Sequence, residues 1–381
     1  MAYVPRTALS RQPPPIRIFE IPQLTRPGAV EPRPLLPSFV YLPAAHELPQ
    51  GSTLLPWDEN NATLVGELGR SMGASVPGRL VASAKSWLCS PSVDRTAAIL
   101  PWGAPPDVQR LSPVEASARY LAHIREAWDS RIAKGAKAEA LAAQDIVITV
   151  PASFDEAARE LTVAAARLAG LPRVTLLEEP QAAFYAWLAA HYETLAEALA
   201  SVRRVLVCDV GGGTTDFSLI DVQRSAGGEL PLELKRVAVS DHLMLGGDNM
   251  DLALARHLEN KVPGPLDAQQ FKALTAAARD GKERLLSQGG PERISLSVLG
   301  RGSRAIGGSV RTELHRDEAL RILLEGFFPI APFDAELSTV ARFGLREWGL
   351  PYVNDPAVTR HLSQFLRRHA APGVPLLACP A

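Results

Sequence analysis

The chain is 381 residues long, enough for two or more packed lobes rather than one small core. Apolar residues make up 46% and charged residues 21%, as in ordinary globular proteins. A formal net charge of −1 sets up no field to attract nucleic acid or an anionic membrane, so any anionic ligand must be held by backbone N–H groups, a lysine or a metal.

In chain order, the N-terminus carries three arginines before its first acid, Glu20, but its prolines break the helix of a transit peptide. No apolar run reaches the roughly 18 residues of a membrane helix. Cys89, Cys208 and Cys379 match no metal or disulfide spacing, and Cys208 reads as a small core residue. A cytoplasmic setting is expected, with no nucleic-acid or membrane partner. Residues 1–56, rich in proline (Pro13, Pro14, Pro15, Pro22, Pro27, Pro32, Pro34, Pro37), read as edge strands and loops. Residues 112–143 read as one helix with Val114, Ala118, Leu121, Ile124 and Trp128 on its apolar face.

The middle of the chain is the most legible part. Residues 145–150 form a short buried strand stopped by Pro151. Ser153 and Glu156 then make a capping box for a helix running to Gly170. Strand returns over 173–179, and Pro180 opens a second helix through about Ala198. Residues 204–210, 217–222 and 232–240 read as an antiparallel meander, with its second turn at 225–228. Helices follow over 250–260 and 268–287, then a strand over 292–299 and a mainly helical stretch over 315–370. The whole is a mixed α/β architecture.

The strongest chemical signal is Asp209-Val210-Gly211-Gly212-Gly213-Thr214-Thr215-Asp216. Strand enters and strand leaves, which excludes a dinucleotide-binding turn, and no Gly-Lys-Ser/Thr ending marks a Walker loop. What remains is a hairpin whose glycines let successive amides converge on an anion. Flanking acids suit phosphate only with Mg²⁺ between them, held through its waters, and Thr214 is placed to donate to a terminal phosphate oxygen. A plain tight hairpin would need only one Asn-Gly or Asp-Gly.

This hairpin resembles the second phosphate loop of the actin-like ATPase superfamily. Within that superfamily, VITVPASFDEAARELTVAAARLAGLPRVTLLEEPQAAFYAWL (147–188) resembles the connecting segment of DnaK-type (seventy-kilodalton heat-shock) chaperones, down to V-P-A-x-F, A-G-L and E-P-x-A-A. The resemblance implies an actin-like ATPase fold: two ribonuclease-H-like lobes, each a mixed sheet flanked by helices, around a nucleotide cleft. Lobe I would span 1–200 with a peripheral part near 41–135, and lobe II 201–381 with a peripheral part near 241–304. It implies ATP or ADP with Mg²⁺ as ligands, and unfolded clients and co-chaperones as partners.

By the same resemblance, Glu179 positions the attacking water and Lys85 reaches the γ-phosphate. Asp209 and Asp216 are the metal-side acids. Gly211, Gly212, Gly213, Thr214 and Thr215 form the phosphate loop, Gly246 and Gly247 a nucleotide-side turn, and Lys282 the ribose contact. Pro151 and Arg159 match the pair that relays nucleotide state. On the residues alone, Lys85 also reads as a solvated charge, Glu179 as a helix-start acid, Pro151 as a strand stop, and Arg159 as a partner of Asp155 or Glu156. His242 reads as structural.

The match has gaps. The first glycine is Gly28, and no Gly-Thr-Thr turn opens the chain; residues 373–378 resemble the approach to a central strand whose adenine loop does not follow. Arg279 stands where the family has glutamate. The expectation is therefore a member truncated at both ends, with ATP hydrolysis left open. A non-catalytic module on the same fold is the alternative, and a filament protein or a sugar kinase are more distant ones.

Overall fold

Proline punctuation breaks the first 65 residues into short strands. In the computed structural model, residues 1–11, 13–224, 232–298, 310–338, 352–369 and 376–380 are described. β1 (Ala2–Tyr3) pairs antiparallel with β2 (Arg17–Ile18), and β3 (Ile21–Arg26) with β4 (Ala29–Arg33). β5 (Val40–Tyr41) lies between β6 (Leu64–Val65) and β7 (Leu80–Val81). α1 (Glu67–Ser75) and α2 (Ala84–Cys89) flank β7 in sequence.

α3 (Pro113–Trp128) opens on a capping box, with the Ser112 hydroxyl accepting the Glu115 N–H and the Glu115 carboxylate accepting the Ser112 N–H. The helix expected through residue 143 ends sooner. A π turn over Asp129–Ala133 is followed by Lys134 in the left-handed region (φ 46°) and by Gly135 (φ 90°). The Asp129 carboxylate then accepts the Leu141 N–H at 2.8 Å, which pins the chain reversal. A left-handed residue followed by glycine stops a helix even where apolar spacing continues.

β8 (Val147–Val150) pairs in parallel with β9 (Thr175–Glu178), with α4 (Glu156–Leu168) as the crossover. The cap of α4 corrects the sequence reading. Asp155, not Ser153, is the N-cap, its carboxylate accepting the Ala158 N–H at 2.7 Å. α5 (Glu179–Ala190) begins directly after β9, with Pro180 in its first turn. It stops at His191, and a 3-10 turn and the short α6 (Leu195–Ala198) replace the single helix expected to Ala198.

β10 (Arg204–Val210), β11 (Thr215–Arg224) and β12 (Leu232–Val239) form the expected antiparallel meander. α7 (Gly247–Glu259) and α8 (Ala268–Leu286) follow. β13 (Arg293–Val298) pairs with β14 (Val310–His315), and α9 (Arg316–Phe327) and α10 (Val358–His369) complete the helices. β15 (Leu376–Pro380) returns to lie parallel beside β10, giving the order β12-β11-β10-β15. The expected turn at 225–228, the boundary near 304, residue 299, and parts of the tail (339–351, 373–375) lie outside the described residues.

The core explains how these parts are held. α5 packs Phe184 and Leu188 on Val205, Val207 and Ile220 of β10 and β11. The largest cluster joins Phe217 and Leu219 to Leu252, Leu254 and Leu258 of α7 and Leu274 of α8, and continues into Val40, Val81, Trp87 and Leu100. Each such buried Leu or Phe contributes roughly 1.5–3 kcal/mol. The N-terminal and C-terminal halves thus share one apolar core.

Candidate functional site

Strand register brings the acids together. Asp209 and Asp216 are directly opposite each other across the β10–β11 ladder, with Val210 facing Thr215 one step nearer the turn. Residues so paired share one face of a sheet. α5, docked on the same meander, sets Glu179 beside them, and Lys85 on α2 meets Glu179 with Nζ 2.6 Å from Oε1. The structure therefore gathers Glu179, Lys85, Asp209 and Asp216 from three separate stretches of sequence.

Three carboxylates here face one ammonium. Burial holds the Glu179 carboxyl above the usual carboxylate range; Lys85 pulls it back, while Asp209 and Asp216 push it further up. Asp209 is raised by burial first and by Asp216, again opposed by Lys85. Such a surplus of negative charge fits a divalent cation. Among the described residues no three His, Cys, Asp or Glu side chains form a metal-holding group. An ion at this place would keep its own water, as Mg²⁺ prefers.

The glycine turn sorts its amides into two sets. Gly211 N–H donates to Thr214 O at 2.8 Å and closes the hairpin. Thr215 is fully buried; its N–H donates to Leu243 O and its hydroxyl to Leu245 O, so it offers a ligand no donor, contrary to its expected place in the phosphate loop. The amides of Gly212, Gly213 and Thr214 make no hydrogen bond among the described residues. Three neighbouring unpartnered N–H groups are free to donate to a ligand or to water.

Gly246 and Gly247 serve packing. Gly247 N–H donates to Gly211 O (3.0 Å) and Asp248 N–H to Gly212 O (2.6 Å), docking the start of α7 on the hairpin. A Cβ at Gly246 would stand 2.6 Å from Gly211 O and 2.7 Å from Gly212 O, so only glycine permits the approach. A Cβ at Gly213 would strike Ser86 Oγ of α2, which closes over the turn.

Arg279, where the family has glutamate, is held by two acids of α7: Asp248 at 2.5 Å and Asp251 at 2.6 Å. Burial opposes its charge, and the two carboxylates outweigh it. Lys282 also meets Asp251, at 2.7 Å, and its Nζ lies 3.4 Å from Gly247 O. Arg279 and Lys282 of α8 thus line the hairpin side of α7.

Pro151 is buried at the end of β8. The Arg159 guanidinium bonds neither Asp155 nor Glu156. It reaches Glu178 at 3.2 Å and the carbonyls of Phe154 and Ala152, while Arg95 takes Asp155 through both carboxylate oxygens. Glu178 is shared with Arg236 of β12. Sequence reasoning missed Ser153, which reaches Asp216 and His242.

These features can be set against known proteins. A family model described as Hsp70 protein matches residues 61–321. The chain belongs to the Hsp70 family. Membership carries the actin-like ATPase fold and sets aside the filament and sugar-kinase readings. The chain is 32% identical over 274 residues to a chaperone protein HscA homolog of Bordetella pertussis, covering 68% of this chain and 40% of that one. To HscA homologs of Cupriavidus taiwanensis and Acinetobacter baylyi it is 37% identical over 178 residues and 36% over 148, covering 46% and 37% of this chain and 25% and 21% of theirs. The likeness is thus to a chaperone nucleotide-binding domain, and the HscA names make DnaK-type too narrow a label. This Hsp70-family chain spans about 40% or less of the length of the relatives it matches. Among the described residues no helix is long and apolar enough to cross a membrane.

Proposed function

We propose that this chain is the ATP-binding part of an Hsp70-type chaperone of the cytoplasm, with two lobes dividing near residue 200. In this reading MgATP binding and hydrolysis are coupled to a client-binding domain, with co-chaperones as further partners. The observation that carries it is the run of unpartnered amides at Gly212, Gly213 and Thr214 beside Glu179, Asp209, Asp216 and Lys85.

When bound, MgATP supplies the transferable phosphoryl group and the cation. The chain's own residues supply positioning and charge, which is most of what phosphoryl transfer asks of a protein. The three amides and the Thr214 hydroxyl donate to phosphoryl oxygens. Asp209 and Asp216 accept from the waters around the metal. Lys85 moves from Glu179 to a terminal oxygen. Freed from Lys85, Glu179 orients the attacking water and takes its proton, a task its raised carboxyl suits. Lys282 faces the ribose, whereas Arg279, a donor engaged by two acids, cannot replace a ribose-accepting glutamate.

A second reading, a nucleotide-binding module without turnover, is favoured by the Lys85–Glu179 pair, which occupies both catalytic side chains. Calorimetric titration of MgATP, with Asp209→Ala as control, tests the binding they share. The expected result is binding by wild type that weakens about tenfold or more in the variant, the cost of losing one charged contact. A folded wild-type chain that takes up no MgATP sinks the proposal. Phosphate release over many turnovers would separate catalyst from module.

A further inference from the structure

Two residues beyond Pro151, Ser153 leaves the N-terminal half and meets the C-terminal half at a metal-side acid. Its hydroxyl donates to Asp216 Oδ1 and lies 2.6 Å from His242 Nδ1. Asp216 is 2% exposed. His242 Nδ1 is 3.9 Å from the same carboxylate oxygen, so the serine is the bridge between them.

Counting hydrogens fixes the direction of each bond. A carboxylate only accepts, and a hydroxyl has a single proton to give. With that proton on Asp216, His242 Nδ1 must carry hydrogen and donate to Ser153 Oγ. Nε2 of the same ring is buried with no partner among the described residues. The Phe154 ring, edge-on at 6.1 Å and 76°, holds the imidazole plane. The run from Nδ1–H to Oγ–H to Oδ1 is polarised one way, each bond strengthening the next.

We propose that Ser153 is a positioning residue: from the N-terminal half it fixes the orientation of Asp216, and so readies the hairpin to hold hydrated Mg²⁺. This rests on the reading of the hairpin as a Mg²⁺-nucleotide site. Because Asp155 caps α4, removing the Ser153 hydroxyl leaves that helix its cap.

The test pairs two measurements on the full chain. In the ligand-free state, hydrogen exchange of Ser153→Ala should rise several-fold over residues 209–217 and 240–244, and match wild type in α4. The gain in ATP affinity from Mg²⁺, measured against EDTA, should fall about tenfold, the worth of one charge-assisted hydrogen bond. Ser153→Thr, which keeps the hydroxyl, should restore both, and Glu156→Gln on the exposed start of α4 should change neither. Unchanged exchange over 209–217 overturns the inference whatever the nucleotide does. An undiminished Mg²⁺ gain in Ser153→Ala overturns it while the nucleotide reading stands. If wild type itself gains nothing from Mg²⁺, reading and inference fall together.

Discussion

Glu179 and Asp209 hold their protons more tightly in the folded chain than in an unfolded one, because burial and like charges raise both carboxyls. For a raised acid, the stabilising contribution is complete below the unfolded value of about 4 and is lost as pH rises through the folded value. The ligand-free chain should therefore lose this contribution as pH rises from the unfolded value of about 4 toward neutrality. Urea unfolding at the two ends checks it: the stability advantage of Glu179→Gln with Asp209→Asn over wild type should grow with pH. Asp209→Asn alone should raise the melting temperature of the ligand-free chain by about 2 °C. The same change should remove most of the Mg²⁺-dependent gain in nucleotide affinity. Glu179, Asp209 and Asp216 stand in segments that strand–turn–strand chemistry and E-P-x-A-A mark locally, whereas Lys85 was singled out by the family resemblance alone. Ser153, Glu178, Arg236 and His242 were not legible, since their contacts cross 58 to 89 residues of chain and no local pattern records such a meeting.

Among the elements, α7 docks on the hairpin through one close glycine, Gly246. Gly246→Ala would push a Cβ into the carbonyls of Gly211 and Gly212, backbone atoms that cannot step aside cheaply. Thermal unfolding should register a loss of about 1–3 kcal/mol, the usual penalty of overpacking. The α7–α8 pair hangs on Arg279, which neutralises Asp248 and the 1%-exposed Asp251. Arg279→Met should cost roughly 1–3 kcal/mol in denaturant unfolding, because Asp251 is left with Lys282 alone and Asp248 with the Ser83 hydroxyl. Arg279→Glu should be worse still, since it adds a third acid beside Asp248 and Asp251. Element types followed well from periodicity, as the meander and the βαβ unit show. Element ends followed less well: left-handed Lys134 and the Gly135 after it stop α3 although apolar spacing runs on, and Asp155 takes the cap that Ser153 was expected to provide.

At the scale of the molecule, the halves are joined by more than the chain. Ser83 donates to Asp248 at 2.7 Å, Arg70 meets Glu283 at 2.7 Å, and Lys272 reaches the Trp102 carbonyl at 3.3 Å. Trp87, stacked on Trp102 with centroids 4.7 Å apart, belongs to the core that both halves share. Trp87→Ala should therefore weaken both halves together, by about 3–5 kcal/mol, with tryptophan fluorescence and circular dichroism still moving at one midpoint. Separate midpoints in wild type would contradict a shared core. The α/β character was legible from alternating strands and helices. The pairing of β15 beside β10 brings residue 376 to residue 204, a choice made by tertiary packing that no window of sequence contains.

The docking of α7 on the glycine hairpin also bears on the hydrogens at its tip. In a peptide unit, carbonyl and amide form one conjugated system. The Gly211 carbonyl is conjugated with the Gly212 N–H, and the Gly212 carbonyl with the Gly213 N–H. By donating to those two oxygens, Gly247 and Asp248 draw electron density away from the amide hydrogens at the tip. The positive end of α7 thus acts through two peptide planes on amide hydrogens that its own first amides never touch, so the tip's strength as a donor rises and falls with the docking of that helix.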